Sequence, residues 1–133
     1  MQSIDRERFE RRLLELLRAK SGFPRKPVDR HILLKSAALM LGVGGDEAAV
    51  NAAIMRWQAL TGAGLDYVTW RRYLVDWGYL ARDRARTAYA PAVPPGVSFA
   101  PEVAGVDIPR LIAAGRAETE RRRQEFLGHE GRG

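Results

Sequence analysis

Three helical stretches with their own start and stop signals, followed by an abrupt change to a two-residue period, predict a mainly α protein. The order of these elements is that of a winged helix-turn-helix core, three helices plus a β-hairpin wing, with flanking N- and C-terminal helices. Size and composition agree with this. At 133 residues, 46% hydrophobic and 29% charged, the chain holds one ordinary domain with extensions and enough apolar mass, including three tryptophans, for a real core.

Residues 1–22 read as an amphipathic helix, because Phe9, Leu13, Leu14, Leu16 and Leu17 recur at helical spacing between Ile4 and Lys20, with Asp5 as cap and Gly22 as stop. The run Phe23-Pro24-Arg25-Lys26-Pro27 interrupts it, since a proline disfavours helical geometry in the residue before it. The winged-helix domain is placed at 23–92. Its first helix runs from Asp29 to Leu41 and stops in Gly42-Val43-Gly44-Gly45. The second is capped by Asp46 and carries Val50, Ala53, Ile54 and Trp57 on one face. The third starts at Asp66 and ends before Gly78. Its apolar side is Tyr67, Trp70, Tyr73, Leu74 and Trp77, while Thr69, Arg72 and Asp76 share the opposite, outward side. Tyr79–Arg82 and Thr87–Ala90 then read as two strands around a polar turn. Residues 93–106 continue a proline-rich stretch expected to be a stiff linker, and 107–133 are a helix from Asp107 to Leu127 with a tail.

Several function classes are excluded on composition. There is no cysteine, so disulfides, thiolate nucleophiles and cysteine-based metal sites are absent. No apolar run reaches the ~18 residues needed to cross a bilayer, and the first twenty residues are too charged for a signal peptide, so a cytoplasmic protein with no membrane partner is expected. His31 and His129 have no second ligand at metal spacing, and none of the serines has a nucleophile-elbow context. The Gly42–Asp46 run follows a helix and lacks a P-loop lysine, which makes it a connecting loop. The protein is therefore expected not to be an enzyme, with no catalytic residues, cofactor or metal.

What remains is charge. The net charge is +6, and nineteen of the twenty-two basic residues are arginine, whose planar fork suits phosphates and base edges. A GC-rich genome would give the same richness. If the third core helix lies in a major groove, Thr69, Arg71 and Arg72 face the DNA and Arg82, Arg84 and Arg86 supply backbone contacts from the wing. Two readings compete with this: Asp76 could pair with Arg72 one turn away, and Arg71 and Arg72 could brace acidic residues structurally. Asn51, poor in helix propensity, needs a side-chain hydrogen bond, with backbone the expected partner. The tryptophans sit at core spacing and are not read as base-stacking platforms.

The expected partner is double-stranded DNA, bound nonspecifically or with weak sequence specificity, with the protein acting as a transcriptional regulator or accessory factor. The alternative is a non-catalytic interaction module. A homodimer held by the flanking helices is also expected, against the competing arrangement in which Phe9, Leu13 and Leu17 fold back on Leu33, Leu34 and Trp57 of the same chain.

From Phe23 to Tyr89 the sequence carries Phe23-Pro24-x-Lys26, Leu33-Leu34, Glu47 with Val50-Asn51, and Trp70-Arg71-Arg72-Tyr73-Leu74-Val75-Asp76-x-Gly78-Tyr79-Leu80-x-Arg82. On these residues, about half the chain, it resembles a bacterial domain of unknown function that occurs alone or behind winged-helix transcriptional regulator domains of the arsenic-repressor type. The resemblance implies a role in transcriptional regulation. Two features depart from the family pattern: Asp83-Arg84-Ala85-Arg86 stands where an Asp-Gly turn is usual, and Gly44-Gly45-Asp46-Glu47-Ala48-Ala49 replaces an acidic, lysine-rich approach to Val50-Asn51.

Overall fold

The computed structural model describes residues 2–19, 22–85 and 87–130. In chain order these form β1 (Gln2–Ile4), α1 (Arg6–Ala19), α2 (Pro27–Leu41), β2 (Gly45–Asp46), α3 (Glu47–Thr61), α4 (Tyr67–Asp76), β3 (Leu80–Arg82), β4 (Ala88–Pro91), β5 (Val97–Phe99), a 3-10 turn (Pro101–Gly105) and α5 (Ile108–Glu130). The protein is mainly helical with two small sheets.

Local chemistry sets the helix starts. Asp5, Asp46 and Asp66 each accept a hydrogen bond from the backbone amide three residues on, at 2.8, 2.8 and 2.7 Å, satisfying donors that the first turn leaves open. The second expected helix begins two residues earlier than its sequence reading, with Pro27 in its first turn, where the missing amide costs nothing. Gly62, in the left-handed conformation, ends α3.

The core gathers around two tryptophans. Trp57 and Trp70 meet edge to face at 4.9 Å; Trp57 Nε1 donates to Ser36 Oγ (2.9 Å) and Trp70 Nε1 to the Gly64 carbonyl (2.6 Å), so neither indole proton is stranded. Trp57 and Trp70 thus pack as core, as their spacing predicts, whereas Trp77 is half-buried at the rim, stacked edge-on against His31 and Phe23.

The flanks fold back onto this centre. Phe9 and Leu13 of α1 are fully buried in the same apolar cluster as Leu33, Leu34 and Trp57, and Arg12 grips Asp29 of α2 with two bonds of 2.9 Å each. Phe9 and Leu13 of α1 are thus covered by their own chain, as in the fold-back arrangement. Residues 93–106 are not a spacer: β5 pairs in parallel with β1, Gln2 opposite Val97 and Ile4 opposite Phe99, and Val97, Val103 and Val106 are buried. α5 packs through Ile108 and Ile112, then continues past the body, so that Phe126 and Leu127 stand 63% and 55% exposed. No helix among the described residues is long and apolar enough to cross a membrane.

The second sheet adjoins α4. Its order is β2-β4-β3, all antiparallel, with Arg82 opposite Tyr89 and Asp46 opposite Ala88. β2 arises from what reads in sequence only as a loop between helices. Gly44 makes the close approach feasible: it has φ +84°, and a side-chain carbon there would lie 2.3 Å from the Tyr89 carbonyl oxygen.

Candidate nucleic-acid interface

Between α4 and the hairpin lies a groove lined by Val68, Arg71, Arg72, Val75 and Asp76 from the helix and by Arg82 and Tyr89 from the strands. The structure assigns different tasks to the residues singled out in sequence.

Arg71 points sideways, not outward. Its side chain is only 16% exposed, and Nη1 lies 2.6 Å from Asn51 Oδ1, to which it donates, and 2.9 Å from Glu47 Oε1. It braces α4 against α3. Asn51 is thereby satisfied by a guanidinium, not by the backbone partner expected for it. Thr69 is also committed elsewhere: its amide donates to Asp66, and its hydroxyl helps hold that carboxyl below the usual range. The amide bond is the largest cause of that shift, and a more distant, smaller contribution comes from Arg72. Thr69 therefore serves the helix cap before it serves any ligand.

Arg72 is exposed and forms no ion pair among the described residues, and the pairing with Asp76 that its spacing allowed is absent. Across the groove, the Arg82 guanidinium lies 5.1 Å from the centre of the Tyr89 ring, a cation–π contact that orients the side chain while leaving its charge unneutralised. Arg84 is exposed in the turn, outside the groove lining, and Arg86 lies outside the described residues. The turn itself is held by Asp83, which accepts from the Thr87 amide (2.7 Å), the Thr87 hydroxyl (2.8 Å) and the Ala88 amide (3.2 Å).

Sequence reasoning missed Val68 and Val75. They are seven residues apart on the outward side of α4, 39% and 36% exposed, and form an apolar column beside Arg72. The signal was the presence of two β-branched apolar residues on a face otherwise polar. Among the described residues no cluster of three or more histidines or carboxylates could hold a metal ion.

These features define a small, mainly helical protein with a basic, part-apolar groove between its fourth helix and a hairpin. The chain belongs to the family described as "Uncharacterized protein conserved in bacteria (DUF2087)", whose model matches residues 21–90 and so takes in every residue of the groove. No curated protein and no solved structure matches the chain.

Proposed function

We propose that the protein is a non-catalytic, cytoplasmic DNA-binding regulator or accessory factor built as a winged helix-turn-helix, with α4 as recognition helix and the β3–β4 hairpin as wing. The observation that carries this reading is the connectivity around α4. Three helices α2, α3 and α4 precede the hairpin, and the short strand between the first two joins it on the far side, giving the sheet order β2-β4-β3. That arrangement sets the hairpin beside the outward face of α4, where Arg72 and Arg82 flank one groove without acidic partners among the described residues. The transcriptional role implied by the family resemblance points the same way.

An anisotropy titration of the full chain against duplex DNA tests it. Binding tighter than about 100 μM at low salt is expected, with log affinity falling against log salt by about 0.9 per phosphate neutralised. No binding within that range would falsify the reading.

One observation favours a second reading, an interaction or dimerisation module. The outer half of α5 leaves the body with Phe126 and Leu127 exposed. Several of its charges are already paired within the helix, Arg121 and Arg122 with Glu118, and Arg121 with Glu125, which leaves fewer free cations to grip a polyanion. Light scattering decides this. A mass of twice 14.9 kDa that falls to one on replacing Phe126 and Leu127 by glutamate supports a homodimer through α5, and a monomer at micromolar concentration removes it.

A further inference from the structure

Asp76 breaks a local rule without any visible return inside the chain. It is the last residue of α4, where the helix macrodipole disfavours negative charge. It is exposed, and among the described residues it makes neither a hydrogen bond nor an ion pair, although Arg72 lies one turn back and Arg82 lines the same groove. A carboxylate so placed weakens a surface that would otherwise attract any phosphate. Its neighbours make that cost intelligible. Arg72 occupies the middle of the outward face; Val68 and Val75 form a column on one side, and Thr69 and Asp76 lie on the other.

We infer that Asp76 is a specificity-determining residue, and that α4 reads base edges in the major groove: Asp76 takes cytosine, Arg72 takes guanine, and the valine column takes thymine methyls. This rests on the DNA-binding reading above. The chemistry of the groove edge assigns the roles. Cytosine presents an amino donor that a carboxylate accepts, guanine presents two acceptors that match a guanidinium fork, and thymine presents a methyl group for apolar contact. One helical turn separates Asp76 from Arg72, a rise of about 6 Å, so the two residues address bases about two steps apart. Against a phosphate, or against the acceptor edges of guanine, the same carboxylate is repelled. Asp76 thus selects by rejecting, which is how specificity is gained without added affinity.

The test uses the full chain. A preferred duplex is selected from a randomised pool, then titrated beside a scrambled duplex of equal composition, with wild type, Asp76→Asn and Arg72→Ala, at one salt concentration. Wild type is expected to favour the selected duplex by about tenfold or more. Asp76→Asn should bind the scrambled duplex more tightly than wild type does, lower the preference to about threefold or less, and lose no thermal stability. Arg72→Ala should weaken binding to the selected duplex most. If wild type binds with no enriched sequence, or Asp76→Asn retains the full preference, the inference is overturned while DNA binding stands. If neither duplex binds, both fall together.

Discussion

Arg71 and Asn51 are bonded across the α3–α4 contact at 2.6 Å, with Glu47 2.9 Å from the same guanidinium nitrogen. This clamp fixes the pitch of α4 and hence the direction in which Arg72 points, so it acts on the groove from behind. Removing it leaves Asn51 and Glu47 without their cation. Arg71→Ala is expected to lower stability by about 1–3 kcal/mol, read as a shift in the urea midpoint, and Arg71→Lys to recover only part of that. A double-mutant cycle with Asn51→Ala should give a coupling near 1 kcal/mol in size.

Arg72 and Arg82 should behave in the opposite manner. Neither is bonded to a carboxylate, so Arg72→Ala and Arg82→Ala should leave the melting temperature within a degree or two of wild type, in keeping with the roughly 0.5 kcal/mol typical of surface changes. Each should weaken duplex binding. For Arg82→Ala the loss should be uniform across sequences, with the salt slope reduced by about one.

Gly78 ends α4 at φ +87°, and a side-chain carbon there would stand 2.8 Å from Pro95 Cδ and 3.1 Å from Pro94 Cα. Both the backbone conformation and the space demand glycine. Gly78→Ala should cost at least about 2 kcal/mol, seen in the same denaturation experiment, because strain and overpacking add.

His31 lies buried in α2, with Nδ1 2.8 Å from the Tyr79 hydroxyl, which in turn donates to the His31 carbonyl at 3.1 Å. The ring is thereby held against the Tyr79 hydroxyl. Burial holds the imidazole below its ordinary value of 6.5, so the unfolded chain binds the proton more readily than the folded one. Its contribution to stability is therefore full above pH 6.5 and is lost as pH falls from there toward the folded value. The urea midpoint should drop between pH 7 and about 5.5, and the drop should shrink in His31→Gln. An undiminished drop in that variant would assign it to another group.

The helices were legible because their signals are local. Asp5, Asp46 and Asp66 cap what they begin, and the apolar period of Phe9 and Leu13, or of Trp70, Leu74 and Trp77, survives into the structure as packing. The short strands were not legible. Gln2–Ile4 and Gly45–Asp46 are too brief to show a period, and the first pairs with Val97–Phe99 from the far side of the sequence, inside a stretch whose prolines argue for a spacer. In the groove, Arg72 and Arg82 could be picked from the pattern. Arg71 could not be separated from its neighbour, because one residue along a helix turns the side chain by 100° and only tertiary structure shows what waits there.

The pairing of β1 with β5 bears on where the folding unit ends. Eight of the twenty-two buried apolar residues among those described, Ile4, Phe9, Leu13, Val97, Val103, Val106, Ile108 and Ile112, lie outside residues 21–90, yet they belong to one cluster with the rest. The boundary of family similarity thus cuts through a single core. A polypeptide trimmed to residues 21–90 should lose the outer wall of that core and show the hallmarks of a loosened state: dye binding, lost near-ultraviolet dichroism and rapid proteolysis. The intact chain, by contrast, should melt in one calorimetric transition, with the two ends and the centre giving way together.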